Sequence, residues 1–234
     1  MSFASRADQS GFTLIELMIS TVIGLMMISA LLTAYVANSM NYRMQEAMSE
    51  VQEIGRFVLN QAAYDLRNAG LGTTADEIAV VGFVNADAAY ADSNAKDVLL
   101  AKKDKISSPV LYIPVHDEGG DIAYYIANLG VGDSLYRYDP EFHKNKPQAI
   151  VSGVRQIALE YGVDGNSDQI VDSFELVSDV KDWTRVVAVR VSFLVSSTEQ
   201  VLKKKQTLPD PFVINDRALY RIFTTTVVLR NKVL

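Results

Sequence analysis

Between Glu16 and Arg43 the chain carries no charged residue, and the interval is filled by Leu17, Met18, Ile19, Val22, Ile23, Leu25, Met26, Met27, Ile28, Leu31 and Leu32. About 20 consecutive apolar residues suffice to cross a bilayer as a helix, so this run reads as a membrane span. A secretory signal peptide is the competing reading, but its apolar core is shorter and is closed by a small-residue cleavage site. Here Ala37-Asn38-Ser39 leads directly into more helix-like sequence.

The helical pattern continues beyond the span. Met40, Met44, Ala47, Val51, Ile54, Val58, Ala62 and Leu66 recur at three- and four-residue steps, which makes one face apolar. Arg43, Glu46, Glu50, Glu53, Arg56 and Asn60 occupy the opposite face, and "NAGLG" supplies Gly70 and Gly72 as a stop. No proline interrupts residues 12 to 69. The pattern predicts one continuous helix of roughly 55 to 58 residues, about 85 Å long at 1.5 Å per residue, with residues 12–37 in the membrane and residues 38–70 amphipathic.

From residue 78 the period changes. Runs rich in β-branched and aromatic residues, such as "PVLYIPV", "DIAYYIANLG", "RQIALEYGV" and "TRVVAVRVSFLVSS", are separated by Gly, Asp, Asn and Pro. In the last of these, Val187, Val189, Val191, Phe193 and Val195 alternate, as expected of a strand with one buried face. Asn128 to Asp133 reads as a hairpin loop. The expected fold class is therefore α+β: a long N-terminal helix whose Met44, Val51, Val58 stripe is covered by an antiparallel sheet built from residues 71–234.

Composition narrows the function classes. The chain has 234 residues, no cysteine and a net charge of −6, which excludes a disulfide framework and thiolate chemistry and argues against direct nucleic-acid binding. His116 and His143 show no metal-ligand spacing, and no nucleophile-elbow, zincin or phosphate-loop motif occurs; the expectation is a protein that is not an enzyme and requires no cofactor. The basic run "LKKKQ" (202 to 206) reads as a solvated loop, and Trp183 as partly buried packing. About half of Tyr112, Tyr124, Tyr125, Tyr136 and Tyr138 are expected in the core.

Glu16 sits in the first turn of the helix. The helix dipole there offsets about 0.3–1 kcal/mol, whereas an ionised side chain well inside a bilayer costs on the order of 2.5–3.5 kcal/mol. A cation is needed, and the span holds none. Cleavage of the Gly11–Phe12 bond would create one, because a free α-amino group with a pKa of about 7.7–8.0 is mostly protonated at neutral pH. The carboxylate could then pair with its own chain's amine or with a neighbour's, and pairing with a neighbour would fix the axial register of two helices.

"GFTLIELMIS" followed by a long apolar helix resembles the signal of type IV prepilins and pseudopilins. The resemblance implies a leader peptide, residues 1–11, cut by a prepilin peptidase after Gly11; N-methylation of Phe12; and a filament-register role for Glu16. Arg6 is balanced by Asp8 in the leader, where such leaders are usually more basic, which weakens the positive-inside argument for orientation; Thr33 stands in the stretch where major pilins often carry proline, which favours a minor pilin. "DLRNAGLG" (65 to 72) and "FTTTVVLRN" (223 to 231) are similar to the PilW-like minor pilins and, more distantly, to J-type pseudopilins of type II secretion. This implies a type IV pilin-like fold anchored in the bacterial inner membrane by a single pass, with a periplasmic globular domain. It further implies a priming or tip complex with other minor pilins, the major pilin and a tip adhesin, on which motility, adhesion or DNA uptake would depend. The alternatives are a J-type pseudopilin and a membrane-anchored adhesin.

One internal motif carries metal-binding spacing. In "DGNSDQIVDSFE", oxygens fall at positions 1, 3, 5, 7, 9 and 12 of a calcium loop as Asp164, Asn166, Asp168, the Ile170 carbonyl, Asp172 and Glu175. Gln169 replaces the usual glycine at position 6. A calcium loop and a solvated acidic turn opened by Asp-Gly both fit this stretch.

Overall fold

The structure is a computed structural model that describes residues 12–70, 77–99, 102–115, 120–130, 132–138 and 149–230. The leader with Gly11, the stop residue Gly72, and His116 and His143 lie outside the described residues. The chain divides into two compact units, one ending at Gln45 and one beginning at Glu46.

The first unit is the start of helix α1, Leu14–Asn68, 55 residues. Thr13 opens it: its hydroxyl accepts from the Glu16 amide and donates to the Glu16 carboxylate, both at 3.4 Å, and its carbonyl accepts from the Leu17 amide. This is half of a capping box: the Thr13 hydroxyl takes the Glu16 amide, and the Glu16 carboxylate turns back to that hydroxyl in place of the Thr13 backbone amide. The hydroxyls farther along turn inward. Ser20 donates to the Glu16 carbonyl, Thr21 to that of Met18 and Thr33 to that of Ser29, so these polar groups are satisfied without water.

In the second unit α1 becomes a packed helix. Its buried positions Ala47, Val51, Gly55, Val58, Ala62 and Leu66 step by four and three residues, the spacing of one helical face. It ends at Asn68 before Gly70, whose φ of +75° suits a residue without a Cβ.

Two antiparallel sheets follow. The first is a five-stranded meander of β1 (Val81–Phe83), β2 (Val110–Ile113), β3 (Ile122–Asn128), β4 (Asp133–Tyr138) and β5 (Ala149–Ser152) in sequence order. The second has the order β7-β6-β8-β9, from β6 (Val154–Val163), β7 (Ser173–Leu176), β8 (Val186–Ser196) and β9 (Tyr220–Val228). One core joins the helix to both: Val51, Val58 and Leu66 pack with Leu111, Ile126 and Leu135 of the first sheet and with Leu159, Val191 and Phe193 of the second.

The expected single sheet is thus corrected to two. The change of sheet occurs at Gly153 between β5 and β6, where φ is +85° and a Cβ would press against the Ser196 carbonyl at 3.1 Å and Ile54 at 3.3 Å; only glycine makes that corner without strain. The reading of β8 as buried on one face is corrected too. Leu194, on the face opposite Val191 and Phe193, is covered by Phe212, Ala218 and Tyr220, and Val186 and Ala188 are also buried. The outer face of the first sheet carries the short helices α2 (Ala86–Ala91) and α3 (Ser93–Val98), capped by the Asn85 and Asp92 side chains. Beneath them Tyr125 and Tyr136 stack at 5.6 Å, 7° from parallel. Four of the five middle tyrosines are buried, Tyr138 being the exception.

Candidate functional site

Along α1 no side chain from Phe12 to Glu46 is buried. Phe12 is 81% exposed, and the apolar residues from Leu14 through Val36 stand open one after another. This stretch is long and apolar enough to cross a membrane. Glu16 lies at the first turn of that surface, held by the Thr13 hydroxyl at 3.4 Å. The Thr-x-x-Glu spacing that forms this cap was readable in "TLIE", although the dipole argument alone does not reveal it.

The second half of the helix is fixed to the sheets by a buried polar cluster. Asp65, 3% exposed, accepts two bonds from Arg137 of β4: Nε to Oδ2 at 2.7 Å and Nη2 to Oδ1 at 3.0 Å. The Tyr124 hydroxyl of β3 donates to the same Oδ2. Burial, reinforced by the Asp65 carboxylate, pushes the Tyr124 phenol well above its ordinary value. A forked guanidinium–carboxylate pair is strong and directional, so it sets the height of the strands along the helix.

The acidic loop closes on itself. Asp164 Oδ1 accepts from the amides of Asn166, Ser167 and Asp168, and its Oδ2 from that of Gln169 at 2.7 Å. Burial acts to raise the Asp164 carboxyl, and these four amides outweigh it and hold the carboxyl below its usual value. Asp168 Oδ1 accepts from the Ile170 amide and Asp172 Oδ2 from the Gly165 amide, while Glu175 lies on β7 opposite Tyr161. Gln169 takes φ +67°, as does Ser167, so the sharp bend reserved for glycine at position 6 is made here by glutamine. Among the described residues no group of three or more Asp, Glu or His converges as a metal site would require. The structure brings Asp164, Asn166 and Asp168 into one turn and leaves Glu175 apart.

Trp183 packs edge-on to Tyr161 at 4.8 Å. Lys203, Lys204 and Lys205 are exposed in the loop before β9.

Residues 6–32 match the prokaryotic N-terminal methylation motif. Residues 123–231, from β3 through β9, match the type IV pilus-assembly protein W family. No curated protein matches the chain. Among solved structures, a type IV-like pilin of Thermus thermophilus, TTHA1219, aligns at 12% identity and a TM-score of 0.43, covering 80% of this chain and 98% of its own. The chain thus carries, behind a prokaryotic N-terminal methylation motif, a segment similar to the type IV pilus-assembly protein W family, which supports a pilus-related pilin.

Proposed function

We propose that the protein is a minor pilin, a structural subunit without catalytic activity that joins a priming or tip complex and promotes assembly of the pilus. In this reading a prepilin peptidase cuts between Gly11 and Phe12 and the new Phe12 amine is methylated. The subunit waits in the inner membrane with its sheet domain in the periplasm, then leaves the bilayer with neighbouring pilins and ends near the pilus tip, where an adhesin can be carried. The observation that supports the reading is the uncovered first half of α1: a run of apolar side chains beginning at a methylation motif, with one carboxylate at its first turn and nothing among the described residues to cover it. Lipid satisfies such a surface before assembly, and the helices of neighbouring subunits satisfy it afterwards. Glu16 then accepts the Phe12 amine of a neighbour and sets the register.

Intact-mass and N-terminal peptide mass spectrometry on protein from its native membrane tests the first step. A chain beginning at methylated Phe12 is expected; one beginning at Met1 would remove the filament reading. Glu16→Ala is expected to be cleaved normally and to enter filaments at least ten-fold less well, and normal incorporation would remove the register role. Deletion of the gene separates pilus assembly from protein secretion: lost piliation is expected, and lost exoprotein export with intact pili would assign the chain to a J-type pseudopilin instead.

A further inference from the structure

The two edges of the second sheet are built differently. β9 is paired along all nine residues with β8 and forms one edge. At the other edge, β7 covers only Glu160–Val163 of the ten-residue β6. Beyond Leu176 the chain turns away, its carbonyl accepting from the amides of both Asp179 and Val180. Among the described residues the stretch Val154–Leu159 therefore has β8 on one side and no strand on the other. Antiparallel pairing sends the N–H and C=O of alternate residues to opposite sides. Every second residue of this stretch thus offers its pair outward, and among the described residues no backbone bond from outside the sheet reaches Gln156–Leu159.

A cleft of about 600 Å³ runs along this open edge. Ala158 and Ser192 make its floor low, and Pro109, Leu176, Phe212 and Ile222 give it apolar walls. Most of its polar side chains are engaged within the protein, Asp210 and Ser107 at the exposed rim excepted. The Gln156 amide group pairs both ways with the Val213 backbone, Glu160 with Arg190, and Ser192 with Thr224. What the cleft offers is main chain at strand spacing between apolar walls. A small polar ligand would find few free partners on the floor, whereas an extended peptide matches the edge bond for bond.

We propose that this cleft is a strand-addition site: an extended segment of a neighbouring filament subunit lies antiparallel to β6, in line with β7, and places an apolar side chain between Leu176 and Phe212. The segment it fits has four or five residues, one strand's worth of edge, with apolar side chains at alternate positions and no requirement for charge. The inference rests on the filament reading above, since that reading supplies the neighbour.

Hydrogen exchange read by mass spectrometry tests it, comparing the full-length processed protein in detergent with the same protein in pili isolated from cells. The outward-facing amides within Val154–Leu159 are expected to slow at least ten-fold on assembly while those of Arg221–Val228 on the opposite edge keep their rates. Unchanged exchange at β6, or equal slowing at both edges, overturns strand addition. Ser192→Trp fills the floor from a position whose side chain contributes only a surface hydroxyl pair. It should leave the melting temperature within about a degree and reduce incorporation at least ten-fold, and wild-type incorporation overturns the proposal. Mass spectrometry of the N-terminus in the same samples keeps the two readings apart. A chain that is processed and incorporated but shows no change at β6 sinks this site alone, and a chain never found in pili sinks the filament reading.

Discussion

The two halves of α1 share a backbone geometry and similar helix-forming residues, yet one buries nothing and the other carries part of a core. From Phe12 to Glu46 every side chain is at least partly open; from Ala47 to Leu66 one face is closed by two sheets. Propensity cannot separate them, because Leu, Met, Ala and Val serve both. What differs is the width of the apolar surface. In the first half it runs all round, as lipid requires; in the second it narrows to a stripe opposite Glu46, Glu53 and Arg56. A helix therefore advertises its solvent by the share of its circumference that is apolar.

The largest test puts the same charge into each half. Val58 has no exposed surface, so Val58→Asp buries an unpaired carboxylate and should cost more than about 4 kcal/mol, abolishing the cooperative melt of the 46–234 region seen by circular dichroism. Met26 is 67% exposed. Met26→Asp should leave that melt unchanged and instead oppose membrane insertion by about 2.5–3.5 kcal/mol, read as loss from the membrane fraction. A fall in the melting temperature with Met26→Asp would break the division between the halves.

Next in size is the clamp between the packed half and the sheets. Arg137→Ala leaves the Asp65 carboxylate buried with no cation, held by the Tyr124 hydroxyl and by the Gln61 amide at 3.4 Å, and should cost about 3–5 kcal/mol in urea unfolding. Because that cost comes from the stranded charge, Asp65→Asn combined with Arg137→Ala should lose less than the sum of the two single changes. Additive losses would show that the pair does not couple the helix to β4.

A third lever, alkali, acts on the sheet region. Burial holds the phenols of Tyr124, Tyr161 and Tyr112 far above their ordinary value near 10, and that of Tyr220 is pushed up to about 12. The folded state keeps protons that the unfolded chain releases above pH 10. The stability these groups contribute is thus fully present below pH 10 and declines as pH rises beyond it, by up to about 1.4 kcal/mol per pH unit for each tyrosine. Urea melts at pH 9 and 11 check this, and Tyr161→Phe should reduce the slope. A flat profile across that range would mean the phenols titrate freely.

How much of this was legible in the sequence depends on whether the signal was local. The stripe from Ala47 to Leu66 was, because about five turns repeat it. So were most of the strands, whose residues alternate. The Asp65–Arg137 pair was not: its members stand 72 positions apart, and neither has a neighbour in sequence that marks it. The second sheet was hidden because alternation marks a strand without saying which strand it pairs with, and the change of sheet between β5 and β6 needs only the +85° of Gly153. α2 and α3, six residues each, are too short to show a helical period, and only their caps Asn85 and Asp92 betray them. In the acidic loop the oxygen spacing was visible, but the direction of the oxygens was not, since it follows from the positive φ of Ser167 and Gln169. Asp164→Ala should therefore destabilise the domain even in excess EDTA, by less than Arg137→Ala does. If chelation alone lowers the melting temperature of the unaltered protein as much, calcium rather than the backbone organises that turn.

The smallest test is also the most direct comparison of the halves, because each contains one helical glycine. Glycine inside a helix costs about 1 kcal/mol relative to alanine, so on propensity alone Gly24→Ala and Gly55→Ala should both stabilise. Their surroundings differ. At Gly24 nothing lies within 4 Å of an added Cβ; at Gly55 the added atom would overlap the ring of Phe223 on β9, which itself packs against the core. Forcing that ring aside is overpacking and costs about 1–3 kcal/mol, enough to cancel the propensity gain or exceed it. Gly55→Ala should leave the domain's melting temperature unchanged or lower it, while Gly24→Ala should leave the melt alone and slow amide exchange around residues 20–28 in detergent. If Gly55→Ala raised the melting temperature, Phe223 would have room to move, and the tight seat of α1 on β9 would not be what holds this helix in place.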